Sequence, residues 1–236
     1  MRAEHPFLAR RRLMEAEGLH EPWLLLFDID STLMDTGLRN LAILEAARAE
    51  TPALQELWSR LELSEPFWDV LEPFRRSRLG DEALHAAVKA FWRERFFTDE
   101  WLSHDRPYPG VAPFLQNLKA EGFTLAYLTG RHSPGMEKGT RRSFLDHGLP
   151  AGADEHFFFK PDFGMGDAEF KASVCEGIRS MGSLVATVDN EPANVNLFRR
   201  AFPEALVIWL DTVTSPQPEK LLPGIERRGI DFFLDL

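Results

Sequence analysis

Apolar residues are arranged in two ways along this chain. In one, they form short runs, unbroken at 23–27 and 205–210 and interrupted by a single Thr at 123–128 and 184–188. Such runs are too short to cross a membrane and suit strands buried on both faces. In the other, they recur every three or four positions, which predicts helices over 111–121, 136–147, 167–182 and 192–202. The punctuation agrees. Gly122, Gly148 and Gly182 stand where helices stop, Pro192 where one starts, and Asp167 where one is capped. Residues 156–159 read as a further short strand, 1–20 as an amphipathic lead-in and 225–236 as a helix or edge strand. Strand and helix alternating in this way predict an α/β fold, a doubly wound, Rossmann-like parallel sheet with helices on both faces.

Residues 36–106 break the alternation. Leu38, Leu41, Ile43, Leu44 and Ala47 recur at helical spacing, as do Leu54, Leu57, Trp58 and Leu61. Phe67, Trp68, Val70, Leu71 and Phe74 follow, then Leu84, Ala87, Val88, Phe91, Trp92 and Phe96. With no strand pattern between them, these groups predict a small all-helical domain inserted between core segments 1–35 and 107–236. Its Phe and Trp residues read as the core of that bundle rather than a substrate cage. Arg75, Arg76 and Arg78 read as a solvated face.

The predicted strands end in polar groups. The first runs directly into Asp28 and Asp30, two residues apart and so facing one spot in an extended chain. Two carboxylates desolvated side by side repel and need a cation or a shared proton. Ser31, Thr32 and Gly37 provide the turn that follows. The other strands end in Thr129-Gly130-Arg131-His132, in Lys160 and in Asp189-Asn190-Glu191. In parallel sheets the ligand site lies beyond the carboxyl ends of the strands, so these distant residues are expected at one rim. His147 and His156 lack metal-ligand spacing and read as structural, and Asp35 reads as a hinge or helix cap.

Composition narrows the function. The 236 residues are 44% hydrophobic, enough for a substantial core. A formal net charge of −10 and a pI near 5.2 argue against wrapping nucleic acid or lying on anionic lipid. They leave room for a phosphorylated substrate, because a bound divalent cation reverses the local sign. The single Cys175 rules out an internal disulfide and any multi-cysteine zinc site. Arg10-Arg11-Arg12 is not followed by an apolar run of signal-peptide type, and no stretch is long enough to span a bilayer. No membrane association and a cytoplasmic location are expected.

These groups suit phosphoryl transfer. A carboxylate attacks phosphorus, a second carboxyl shuttles the proton, a hydroxyl and an ammonium hold the phosphoryl oxygens, and separated carboxylates ligate Mg²⁺. At this point the chain resembles the haloacid dehalogenase superfamily of hydrolases. Asp28-Ile29-Asp30-Ser31-Thr32 is similar to its D-x-D-x-T motif, Thr129 to its second motif and Lys160 to its lysine. Asp189-Asn190-Glu191 is similar to its acidic fourth motif, although Asn190 stands where a second Asp is common. Lys160-Pro161-Asp162-Phe163-Gly164-Met165 is similar to the Lys-Pro-x-x-Gly-Met of members that dephosphorylate sugars or nucleic-acid ends.

The resemblance implies a Mg²⁺-dependent phosphatase of small phosphomonoesters. Asp28 would be its nucleophile and Asp30 its acid/base. Thr129, Gly130 and Lys160 would bind substrate, Asp28, the Asp30 carbonyl and Asp189 would bind metal, and segment 36–106 would be a cap. Lys171 is the competing lysine; Lys160 is preferred because a loop residue has freer access to the strand ends. A phosphomutase, a dehalogenase and a non-catalytic binding domain are the alternatives, the dehalogenase disfavoured because it needs no Asp30.

Overall fold

The computed structural model describes residues 4–64 and 66–234. Its main sheet is built from β1 (Trp23–Phe27), β4 (Thr124–His132), β5 (His156–Lys160), β6 (Ser183–Asp189), β7 (Leu206–Leu210) and β8 (Ile225–Arg228). The strands lie in the order β5-β4-β1-β6-β7-β8, and every pairing is parallel. The chain thus begins mid-sheet, walks outward through β4 and β5, then returns to β6 on the other side of β1. That reversal places the switch point, where ligands of such sheets bind, between β1 and β6.

The unbroken run of β1 follows from having two covered faces. Trp23, Leu25 and Phe27 enter one core with Phe7 and Met14 of α1 (Pro6–Ala16), Phe114 and Leu118 of α6 (Val111–Ala120) and Phe144 of α7 (Ser133–Asp146). Leu24 and Leu26 enter a second core. It is shared with Phe170 of α8 (Asp167–Ser173), Ile178 of α9 (Cys175–Met181) and Val195 and Phe198 of α10 (Pro192–Ala201). Alternate residues of one strand therefore face opposite helical layers.

Segment 36–106 is helical, with its own apolar cluster. Its helices are α2 (Gly37–Glu50), α3 (Pro52–Leu57), α4 (Glu72–Ser77) and α5 (Glu82–Phe96), with short 3₁₀ turns at Trp58–Arg60 and Trp101–His104. Ile43, Leu44, Leu54, Phe74, Val88 and Trp92 pack together there. A two-residue antiparallel pair, β2 (Met34–Asp35) with β3 (Arg106–Pro107), ties its two ends together. No helix among the described residues is long and apolar enough to cross a membrane.

Local details depart from the sequence pattern. Leu38, expected inside, is 43% exposed, while Arg39 and Asn40 are buried in its place. The helix predicted over 167–182 divides at Val174 into α8 and α9. Its N-cap is Gly166 rather than Asp167, whose carboxylate pairs elsewhere. β4 continues past residue 128, so Thr129, Gly130 and Arg131 belong to the strand itself.

Candidate active site

Where β1 ends, the Asp28 N–H still donates to the Val188 carbonyl of β6, at 3.0 Å. The chain then turns sharply. Ser31 takes a φ of +58°, unusual for a residue with a Cβ, and Leu33 and Met34 donate back to the Ile29 carbonyl. Ile29 is buried on the far side, and Asp28 and Asp30 line one cavity of about 310 Å³. The i, i+2 expectation for the two carboxylates therefore holds geometrically. Gly37 opens α2 without positive φ and donates to Asp35 Oδ1, so Asp35 serves as a local cap.

Each carboxylate belongs to a separate charge cluster. Asp28 Oδ1 accepts from Lys171 Nζ at 2.6 Å, and the same ammonium donates to Asp189 Oδ2 at 2.7 Å. Thr32 Oγ1 lies 3.0 Å from Asp28 Oδ2 and 3.1 Å from Asn190 Oδ1. Asp189 Oδ1 accepts from the Glu191 N–H and Asn194 Nδ2. Burial pushes the Asp28 carboxyl up to about 7; Lys171 opposes the rise and the Asp189 charge adds to it. Burial also works against the Lys171 charge, but Asp189 and Asp28 together raise its pKa.

Asp30 sits among arginines. Its Oδ1 accepts from Arg39 at 2.6 Å and from Arg131 Nη2 at 3.0 Å. Its Oδ2 accepts from Arg131 Nε at 2.8 Å and from Thr129 Oγ1 at 3.3 Å. Burial favours the protonated form, yet the Arg131 and Arg39 guanidiniums prevail and hold Asp30 well below the usual carboxylate range. Behind it, Asp105 pairs with Arg131 at 2.7 Å and Arg39 at 3.0 Å. Arg39 comes from α2, Asp105 from the return of the helical segment and Arg131 from β4, so this cluster joins that segment to the sheet.

The expected lysine is not the one that reaches Asp28. Lys160 lines the cavity from the end of β5, but its ammonium donates to the Met165 carbonyl at 3.0 Å and Asp167 Oδ1 at 2.5 Å. The 161–166 loop folds back over Lys160 and satisfies it locally. Lys171, one turn into α8, points across the strand ends. Gly130 explains part of this packing, because a Cβ there would lie 2.5 Å from Asp167 Oδ2. The structure brings together Asp28, Asp30, Thr129, Gly130 and Asp189, adds Lys171 and leaves Lys160 at the margin.

Arg39 and Asp105 stand outside every motif of the sequence, and Arg131 is marked there only as part of a strand end. The available signal lay in α2, where positions 39, 40, 43, 44 and 47 form one buried stripe that begins with polar residues. His132 stands at the N-cap position of α7 without a side-chain cap bond, its ring against Phe163, and burial, aided by the Lys160 charge, lowers its pKa. Glu191 turns toward Ser215, accepting from its N–H and hydroxyl.

The donor set suits a hard cation. Asp28 and Asp189 offer carboxylate oxygens around a single ammonium, while Asn190 is committed to Thr32 and Val213. Among the described residues, no cluster of three or more His, Cys, Asp or Glu gathers at metal-ligand distance. Two carboxylates with no His or Cys beside them among the described residues suit an oxygen-preferring cation such as Mg²⁺ better than zinc.

The sequence model of the haloacid dehalogenase-like hydrolases matches residues 24–201. No curated protein matches the chain. Among solved structures, a candidate phosphatase from Clostridium difficile superposes with a TM-score of 0.59 at 15% identity, over 90% of this chain and 96% of its own. A HAD-superfamily hydrolase of subfamily IA from Geobacter sulfurreducens gives 0.54 at 15% identity, over 87% and 90%. Protein Tyrosine Kinase A of Mycobacterium tuberculosis gives 0.54 at 16% identity, over 86% and 92%. At such identities the structural likeness establishes the fold, and chemistry rests on the site.

Proposed function

Because the chain belongs to the haloacid dehalogenase-like hydrolases, we propose that it is a Mg²⁺-dependent phosphomonoesterase working through an aspartyl phosphate on Asp28. One observation carries the reading. Asp28 and Asp189, at the ends of the two strands flanking the switch point, share the Lys171 ammonium at 2.6 and 2.7 Å beside the cavity. Mg²⁺ would be held by Asp28, Asp189 and the Asp30 main-chain carbonyl. When bound, it supplies positive charge that lets an anionic nucleophile approach a phosphate.

The chain's own residues supply the rest. An Asp28 oxygen attacks phosphorus, the bond from phosphorus to the ester oxygen breaks, and Asp30 gives its proton to the departing alkoxide. Water then attacks the aspartyl phosphate. Asp30 takes the water's proton, the bond from phosphorus to Asp28 breaks and phosphate leaves. Arg39 and Arg131 disfavour a protonated Asp30 in the free protein, so the proton for the acid half arrives with the substrate, as the phosphate monoanion. Arg39 and Arg131 orient Asp30 and favour the ionised form that the base half needs. Lys171 and the Thr129 hydroxyl stabilise charge on the phosphoryl oxygens, with Gly130 leaving room for the group to enter.

Residues 36–106 act as a cap closing over this site, with core segments 1–35 and 107–236 around it. The β2–β3 pair is its hinge, and Arg39 and Asp105 are its tie to the sheet. The test is hydrolysis of para-nitrophenyl phosphate with and without Mg²⁺. Asp28→Asn is expected to lose about a thousandfold or more in kcat, the scale of a nucleophile knockout. Turnover unchanged in that variant, or no metal-dependent turnover on a broad phosphate panel, overturns the reading.

A further inference from the structure

Across the cavity from Asp28 and Asp30, the wall is aromatic. Trp68, Trp92, Phe96 and Phe97 come from the helical segment and Phe163 from the loop after β5. Four of these rings form a continuous set, with centroids 4.6 Å apart for Trp92–Phe96, 5.0 Å for Phe96–Phe97 and 4.8 Å for Phe97–Phe163, and Trp68 lines the same cavity. Trp92 also belongs to the bundle core, but Trp68 and Phe163 remain 45% and 41% exposed. Large aromatic side chains left open at the mouth of a cavity are unusual for a core and suited to a ligand.

The polar groups on this side are already engaged. Lys89 gives its ammonium to Asp69 Oδ1 at 2.7 Å and lies over the Trp92 ring at 4.2 Å. The hydroxyls of Ser31 and Thr36 bond to each other at 3.1 Å. A polyhydroxylated leaving group would find few free partners here and would lose water without replacement. A planar ring would gain stacking and apolar burial.

We propose that the leaving group of the substrate carries a planar, apolar ring, seated between the Trp68 side of the helical segment and Phe163. The substrate class is then a ring-bearing alkyl or aryl phosphomonoester, rather than a phosphorylated sugar or a small phosphorylated acid. About 310 Å³ accommodates a phosphate with a single ring system, near the lower end of ligand pockets. This deepens the phosphatase reading and rests on it for the position of the phosphate.

The test separates ring recognition from chemistry. The Mg²⁺-loaded full chain is titrated calorimetrically with 2-phenylethylphosphonate and ethylphosphonate, which share a headgroup and resist hydrolysis. Turnover is measured in parallel on 2-phenylethyl phosphate, ethyl phosphate and glycerol 1-phosphate, esters of similarly basic alcohols. The ring-bearing member is expected to be favoured about tenfold or more in both Kd and kcat/KM, the scale of one stacked ring. Trp68→Ala is expected to remove most of that ratio. Phe163→Ala, an independent exposed site, is expected to reduce it as well. Equal affinity for the two phosphonates, or a preference for glycerol 1-phosphate, overturns the inference. A preserved ring preference in binding with no turnover of any ester would support the ring site and overturn the hydrolase reading instead.

Discussion

Two buried charge clusters flank Ile29, and they differ in their balance. On one side Lys171 alone serves two carboxylates, Asp28 and Asp189. On the other, Arg39 and Arg131 serve Asp30 and Asp105, two charges of each sign. The first cluster is short of positive charge, and its Asp28 carboxyl rises to about 7 under burial. The second matches its charges without a ligand and keeps Asp30 ionised, although burial raises the pKa of Asp105 behind it. Burial alone therefore does not mark a reactive centre. A deficit of one sign beside a cavity does, because a ligand that carries the missing charge can fill it.

That contrast is broken most severely by Asp105→Asn. Removing one carboxylate strands buried guanidinium charge, and a guanidinium cannot shed its proton. A loss of about 3–5 kcal/mol in unfolding free energy is expected by denaturant titration, with no recovery on adding Mg²⁺. A loss below about 1 kcal/mol would mean the cluster does not depend on charge balance.

Lys171→Met is expected to cost less, about 1–3 kcal/mol in metal-free protein, because Asp28 can take up a proton instead. Here Mg²⁺ should restore stability by occupying the same two carboxylates, while phosphatase activity stays lost. A Tm indifferent to Mg²⁺ in this variant would remove Asp28 and Asp189 as the proposed metal ligands.

Asp69 sharpens the contrast with the smallest effect. It too has two cations, Arg75 at 2.7 Å and Lys89 at 2.7 Å, but both partners are partly exposed. Burial would raise its pKa, yet hydrogen bonds from Lys89 and Arg75 lower it below the ordinary value. A depressed carboxyl adds stability that is full above its unfolded pKa and is lost as pH falls through the folded one. Asp69→Asn should therefore cost under about 1 kcal/mol near neutral pH, the gap closing as pH drops below about 4. Thermal unfolding of both proteins across that range is the measurement. A gap that widens toward acid would contradict the assigned sign.

Asp28 and Asp30 were legible because their relation is local. A strand end and an i, i+2 spacing suffice to aim both at one spot. Asp189 and Thr129 were legible as further strand ends, once the alternating pattern implied a parallel sheet. Lys171 was harder: its neighbour in sequence terms, Lys160, also stands at a strand end, and only the folded 161–166 loop shows that Asp167 and the Met165 carbonyl satisfy it. Arg39 was masked by the assumption that Leu38 faced inward. Its partner Asp105 lies at the far end of the helical segment, where no periodicity connects the two. The bundle's aromatics were read as core alone, and exposure separates Trp68 from that role.

The amino-acid pattern by itself determined the alternating architecture, the helical insert and the acids at the strand ends, since these follow from periods of two and 3.6 residues and from chain punctuation. Only the tertiary structure decided which lysine faces Asp28, how Asp30 is held and what lines the opposite wall. Those outcomes depend on distances between residues far apart in the chain, and a buried charge takes its state from whichever partners the fold places within a few ångströms.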